Sequence, residues 1–231
     1  MSDYRGSGYD RGHMAPNADM PNKAAQFDSF SLANMVPQAP KNNQQVWREL
    51  EEATRALVTK QKLDVFVVTG PVFQGKKLKT IGQGVIVPSA VYKAVYMPKT
   101  GAIGAYYAPN DNSQQVKIVS VCYLEEQLGV NLFPQLTEEQ KRNTYKLPLT
   151  ATAVKANSAI QYSHWDAESQ CAEEVSSEQL KALQKNFKSG STQSSSGSTV
   201  KTGTGIDAAD QDAIVKQLVD ALLQYILQLL R

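Results

Sequence analysis

Tyr9-Asp10-Arg11-Gly12-His13-Met14-Ala15-Pro16 places a carboxylate, a cation, a glycine and an imidazole in four consecutive positions near the start of a 231-residue chain. The residues ahead of it are polar and contain Gly6 and Gly8, so the segment reads as a loop entering a short strand around the histidine. Gly12 is expected to let the backbone fold tightly, so that the side chains of Arg11 and His13 converge. Asp10 is expected to brace the local turn. An imidazole titrates near pH 6.5, which suits a base that must take a proton from water close to neutrality.

A second segment complements the first. Asn34-Met35-Val36-Pro37-Gln38 closes an apolar run from Phe27 that reads as a strand ending at Pro37. Pro37 and Pro40 then bracket a loop, because residues before proline avoid the helical region. From Asn43 to Lys62 the pattern turns helical, with Val46, Leu50, Ala53 and Leu57 forming a buried stripe. Asn42 or Asn43 can cap its start. Asn43, Trp47, Glu51 and Arg55 form a slowly drifting row at four-residue spacing, distinct from that stripe. Read locally, Asn43 is a cap, and Glu51 with Arg55 is an exposed pair contributing about 0.3–0.5 kcal/mol.

Further along, Leu63 to Gly70 is rich in β-branched residues and reads as a central strand. Val85 to Tyr96 and Ala102 to Ala108 read as a hairpin around Pro98-Lys99-Thr100-Gly101. Lys117 to Tyr123 is a further strand, followed by a short helix over Leu124 to Leu128. Thr137-Glu138-Glu139-Gln140 has the form of a capping box. Strands and helices interleave without strict βαβ alternation, so the fold class is α+β. Tyr106 and Tyr107 read as strand residues, and His164 lies outside any motif.

Composition sets the outer limits. Hydrophobic residues at 42% and charged residues at 20% are globular values. The formal net charge is +2, so attraction to polyanions must come from locally grouped Lys and Arg. Cys122 and Cys171 either pair or stand as small buried hydrophobes; two cysteines do not decide it. No spacing suggests zinc. The N-terminus has no apolar signal region, and no run of about 18 apolar residues is present to span a membrane.

The chain divides into a domain over residues 1–187, a linker over 188–205 and a helix over 206–231. In the linker 14 of 18 residues are Ser, Thr or Gly, a composition unable to bury enough apolar area to order itself. In the last segment Val215, Val219, Leu222, Ile226 and Leu229 repeat at alternating spacings of four and three. That apolar face is too broad for water, which points to self-association or docking on a partner chain. Membrane-surface binding fits less well, since the polar face carries Asp and Gln and a single Lys.

The Asp-Arg-Gly-His-x-Ala-Pro segment, the Asn-Met-x-Pro-Gln segment and the Asn-x-x-x-Trp helix start, in this order and spacing, resemble the DNA/RNA non-specific endonucleases, a ββα-metal (His-Me finger) family. The resemblance runs from Tyr4 to about His164. It implies a nuclease that hydrolyses DNA and RNA with little sequence preference and leaves 5′-phosphate ends. It further implies His13 as general base and one Mg²⁺, with Mn²⁺ as an alternative, bound through Asn43. Under the same resemblance Glu51 orients metal-bound water, Arg11 supports the scissile phosphate, Arg55 contacts phosphate, and Asn34 positions substrate near the histidine. It favours a periplasmic or secreted setting, with a regulated cytoplasmic one as the alternative. Family members carry several strands and another active-site arginine ahead of this segment, whereas here nine residues precede Asp10. The expectation is therefore that another chain supplies that part, that the sequence is a processed or truncated piece, or that Arg5 and the C-terminal segment compensate. A second functional class follows from the same observation: an incomplete nuclease body serving an assembly, with residues 206–231 as its interaction module.

Overall fold

The computed structural model describes residues 2–173 apart from Lys76. The chain divides into two compact units, Met1–Glu174 and Val175–Arg231. The expected linker, the C-terminal apolar helix and the end of the expected domain all lie outside the described residues.

The core is a four-stranded antiparallel sheet in the order β3 (Phe66–Val72), β6 (Ala90–Met97), β7 (Ala102–Pro109) and β8 (Lys117–Val119). Helices cover it on both faces. Alternate residues of a strand point to opposite sides, and β6 divides accordingly. Val91, Val95 and Met97 pack with Leu50 and Leu57 of α2 (Arg48–Gln61), whereas Ala90, Tyr92 and Ala94 pack with Val121 and Leu124 of α3 (Val121–Leu128). Seven of the eight residues of β6 are buried, and one of them is charged: Lys93. Its odd-numbered position puts it on the α2 side.

Ahead of the sheet, β1 (Asp10–His13) and β2 (Met35–Gln38) form an antiparallel ribbon, with Asp10 opposite Gln38 and His13 opposite Met35. Between them runs a short helix α1 (Lys23–Asp28), capped by Asn22, whose side chain accepts from Ala25 N. The ribbon leads directly into the helical stretch of α2, giving a ββα unit packed on one face of the sheet. Smaller ribbons pair β4 (Thr80–Ile81) with β5 (Val85–Ile86) and β9 (Asn143–Tyr145) with β10 (Tyr162–Trp165). The α+β class therefore holds, with mixed helices and antiparallel sheet.

Several local expectations change. Of the Phe27–Pro37 run only Met35 to Pro37 is strand, and that strand continues to Gln38; Ser31 caps a short 3₁₀ turn, and Phe27, Phe30 and Leu32 are exposed. The β-branched run after Leu63 is an edge strand of the sheet rather than a central one, which leaves Phe66 and Val67 open to solvent. Ser120 caps α3, so that helix starts at Val121 instead of Leu124. The Thr137 capping box ahead of α4 (Glu138–Arg142) forms as read, and the hairpin turns at Gly101 with φ 71°, but its first arm starts at Ala90 and not Val85, because Val85–Ile86 pairs with β4 instead. Cys122 and Cys171 are joined in a disulfide.

Candidate active site

The ββα unit fixes the site through its first residues. Gly12 sits in extended backbone opposite Val36, and the side chain of Gln38 lies directly over it, so that a Cβ there would overlap Gln38. Close approach, not a tight turn, is why this position is glycine. Gln38 is fully buried and donates from Nε2 to Asn42 Oδ1. Asn42 in turn donates to the Pro109 carbonyl at 2.9 Å, which ties the ribbon to β7.

Asn42 opens a single π-helical turn (Asn42–Trp47) that precedes α2. Such turns admit an extra residue and redirect side chains, and they recur at functional sites. Its effect here is visible in consecutive residues. Asn42 points into the core, while Asn43 reaches Asp10, donating from Nδ2 to Oδ2 at 3.0 Å. Gln44 donates to the same oxygen at 2.8 Å. Neither asparagine caps the helix: helical backbone begins at Pro40, and Asn43 N donates to Ala39 O. Asp10 therefore braces Asn43 instead of a turn. With its Nδ2 donated to Asp10, Asn43 has Oδ1 as its remaining polar atom, an acceptor.

His13, Arg11, Asp10 and Asn43 line one cleft of about 620 Å³, together with Tyr9 and Phe30. The Phe30 ring meets the imidazole edge-on at 4.9 Å between centroids. Burial first, and the Arg11 cation second, push the His13 pKa below its ordinary value. Its Nε2 is buried with no hydrogen-bond partner among the described residues. Buried polar atoms are normally paired, so this nitrogen can still bond a group that enters the cleft; Gln38 Oε1, Trp47 Nε1 and Thr144 Oγ1 are likewise without a partner among the described residues.

The other candidates fall outside the lining of that cleft. Asn34 commits its whole amide to backbone: Oδ1 accepts from Ala15 N, and Nδ2 donates to Ala15 O and Ser29 O. It thereby pins the chain leaving His13. Arg55 is held by Asp19 at 2.6 Å. Trp47, read as part of the polar row, is buried to 1% in the core beneath α2. Lys93 stands over its ring at 5.4 Å and donates to Thr69 Oγ1 at 3.1 Å. Glu51 lies in this second environment. Burial pushes its carboxyl up to about 7, with Lys93 and Arg55 opposing and Asp19 and Glu52 adding to the rise.

A metal can be tested against this donor set. Among the described residues no group of three His, Cys, Asp or Glu side chains is placed to hold an ion. A lone amide oxygen beside a partnerless imidazole does suit Mg²⁺, which keeps most of its waters and takes one or two protein oxygens.

Sequence reasoning missed Lys93 and Gln38 and read Asp10 as the brace of a local turn, whereas it accepts from Asn43 and Gln44. The signal for Lys93 was a charge in the middle of an apolar eight-residue strand.

Comparisons with known proteins bear on the family and the fold. The model of a family described as DNA/RNA non-specific endonuclease matches residues 1–139. The chain is 38% identical over 159 residues to a mitochondrial nuclease EXOG of Danio rerio, covering 60% of this chain and 46% of that protein. It is 38% identical over 123 residues to mitochondrial endonuclease G of Homo sapiens, covering 47% of this chain and 41% of that protein. With nuclease C1 of Cunninghamella echinulata the identity is 37% over 158 residues, covering 59% and 61%. Against a chain from the crystal structure of the EndoG/EndoGI complex the TM-score is 0.52 at 29% identity, covering 61% of this chain and 65% of that one. The chain thus spans less than half the length of the two mitochondrial nucleases named. Since relatives include mitochondrial proteins, the likeness does not single out a periplasmic or secreted setting.

Proposed function

We infer that this chain, which belongs to the DNA/RNA non-specific endonuclease family, is a metal-dependent endonuclease hydrolysing phosphodiester bonds of DNA and RNA with little sequence preference. The observation that carries the reading is the convergence of His13, Arg11 and Asn43 on one cleft, with the imidazole Nε2 left without a partner among the described residues.

His13 takes a proton from the attacking water. Its depressed pKa keeps it neutral, and therefore basic, to a lower pH than an ordinary histidine. Arg11 offers a cation on the same wall to the non-bridging oxygens. Asn43, oriented by Asp10, holds Mg²⁺ through its amide oxygen, and Mn²⁺ is the alternative ion. When bound, that ion neutralises charge on the phosphate and on the departing oxygen. The products carry 5′-phosphate ends. Contacts to phosphate and metal carry no base information, which is why sequence preference is weak. Glu51 orients the metal-bound water and Arg55 contacts phosphate, both from outside the cleft lining, and Asn34 acts by positioning the histidine loop.

The test is cleavage of supercoiled plasmid and of RNA with Mg²⁺ and with EDTA. The unsubstituted chain cuts both only with the metal, and His13→Ala cuts neither while keeping its circular dichroism spectrum. Cleavage retained by His13→Ala sinks the mechanism.

A further inference from the structure

Tyr9 lines two clefts. One holds His13; the other, of about 450 Å³, is lined by Lys77, Lys79, Gln74 and Asp111 among others. The sequence there reads Lys76-Lys77-Leu78-Lys79, a local concentration of positive charge on a chain whose net charge is only +2. Lys79 Nζ lies 3.5 Å from the Tyr9 hydroxyl and 6.0 Å from its ring centroid, so this cation stands at the junction of the two clefts. Lys77 and Lys79 are exposed, and among the described residues neither is in an ion pair with a carboxylate.

We propose that this second cleft is a phosphate-binding extension of the active site, taking the backbone of a nucleic-acid strand beyond the bond being cut. It rests on the nuclease reading. Tyr9 precedes His13 by four residues of extended chain, which is about 13 Å at about 3.3 Å per residue. Lys79 stands at the Tyr9 hydroxyl, so it meets the backbone a few phosphates from the scissile one. Asp111, also in the lining, carries the same sign as the ligand. Ser113 donates to it and holds its pKa below the usual range, which keeps it charged. The strand therefore tracks along the Tyr9–Lys79 wall.

The experiment is anisotropy binding of a labelled 20-nucleotide single strand in EDTA, at salt between 50 and 200 mM, alongside plasmid cleavage in Mg²⁺. In Lys77→Ala/Lys79→Ala the slope of log affinity against log salt falls by about 1–2, from two lost phosphate contacts. The charge-matched Lys99→Ala/Lys117→Ala, on the outer turn and edge strand, keeps the slope. Asp111→Asn moves affinity the other way, upward. Equal slopes in the two double variants, with plasmid cleavage by the unsubstituted protein intact, overturn this inference alone. Failure of the unsubstituted protein either to bind or to cut overturns the nuclease reading with it.

Discussion

Asp10 accepts two amide donors at a single oxygen, and one of them belongs to the proposed metal ligand. Groups that orient a ligand commonly matter by 10–100-fold. Asp10→Ala should thus lower Mg²⁺-dependent cleavage by about that factor and raise the Mg²⁺ concentration giving half-maximal rate. Asp10→Asn, whose neutral carbonyl oxygen can still accept N–H groups, should lose less. A plasmid assay titrated with Mg²⁺ reads both. Glu51 makes a pH prediction of definite sign. Its carboxyl stands at about 7 in the fold against an ordinary 4.5, raised by burial. The neutral form is the one the fold prefers. The corresponding stability is fully present below about pH 4.5 and is lost as pH rises through about 7. Glu51→Gln never ionises, so its melting temperature relative to the unsubstituted chain should rise between pH 5 and pH 8. A difference that stays flat with pH would show that Glu51 titrates normally.

At the level of elements, the β1–β2 ribbon and the π-helical turn are one device. Gly12 admits Gln38; Gln38 holds Asn42; Asn42 holds Pro109 of β7. The turn that carries Asn42 inward also carries Asn43 to the cleft. Adding a methyl at Gly12 displaces the first member of this chain of interactions. Gly12→Ala should therefore destabilise by about 1–3 kcal/mol, the usual range for overpacking, and should impair cleavage although residue 12 touches no reactant. Thermal melting and the plasmid assay measure the two effects. Pairing Gly12→Ala with Gln38→Ala should recover part of the stability, because the overlapping Oε1 and Cδ are then gone while the Cβ of residue 38 stays.

Across the whole described body, stability rests on a sheet buried on both faces, and α3 is further secured by the Cys122–Cys171 disulfide. The two cysteines are 49 positions apart. On a chain-entropy account such a closure is worth about 4 kcal/mol. The bond closes beside a buried charge centre, where Glu125 accepts from Leu132 N and Ala172 N and pairs with Lys141 at 3.0 Å. Cys122→Ser/Cys171→Ser should lower the denaturant midpoint by a corresponding amount while leaving the His13 cleft and its activity per folded molecule in place. Equal midpoints for the oxidised chain and the double variant would show that the disulfide adds nothing to stability.

What the amino-acid order settled was local chemistry. The Asp-Arg-Gly-His segment, the Asn-x-x-x-Trp helix start, the Gly101 hairpin and the Thr137 capping box are each written within a few residues. Periodicity, capping and turn formation act over that same range. The buried stripe of α2 was legible for this reason too, since Leu50, Ala53 and Leu57 lie on one face of a helix. The partnerships were not legible. Asp10 meets Asn43 across 33 positions and Asn42 meets Pro109 across 67, and no local pattern encodes a pairing that depends on sheet register. Trp47 and Lys93 show the same limit. Four-residue spacing placed Trp47 on a polar row, but a π-helical turn shifted the register and the sheet took the indole into the core. Strand alternation put Lys93 above it, in a position whose meaning exists only once α2 has packed on β6.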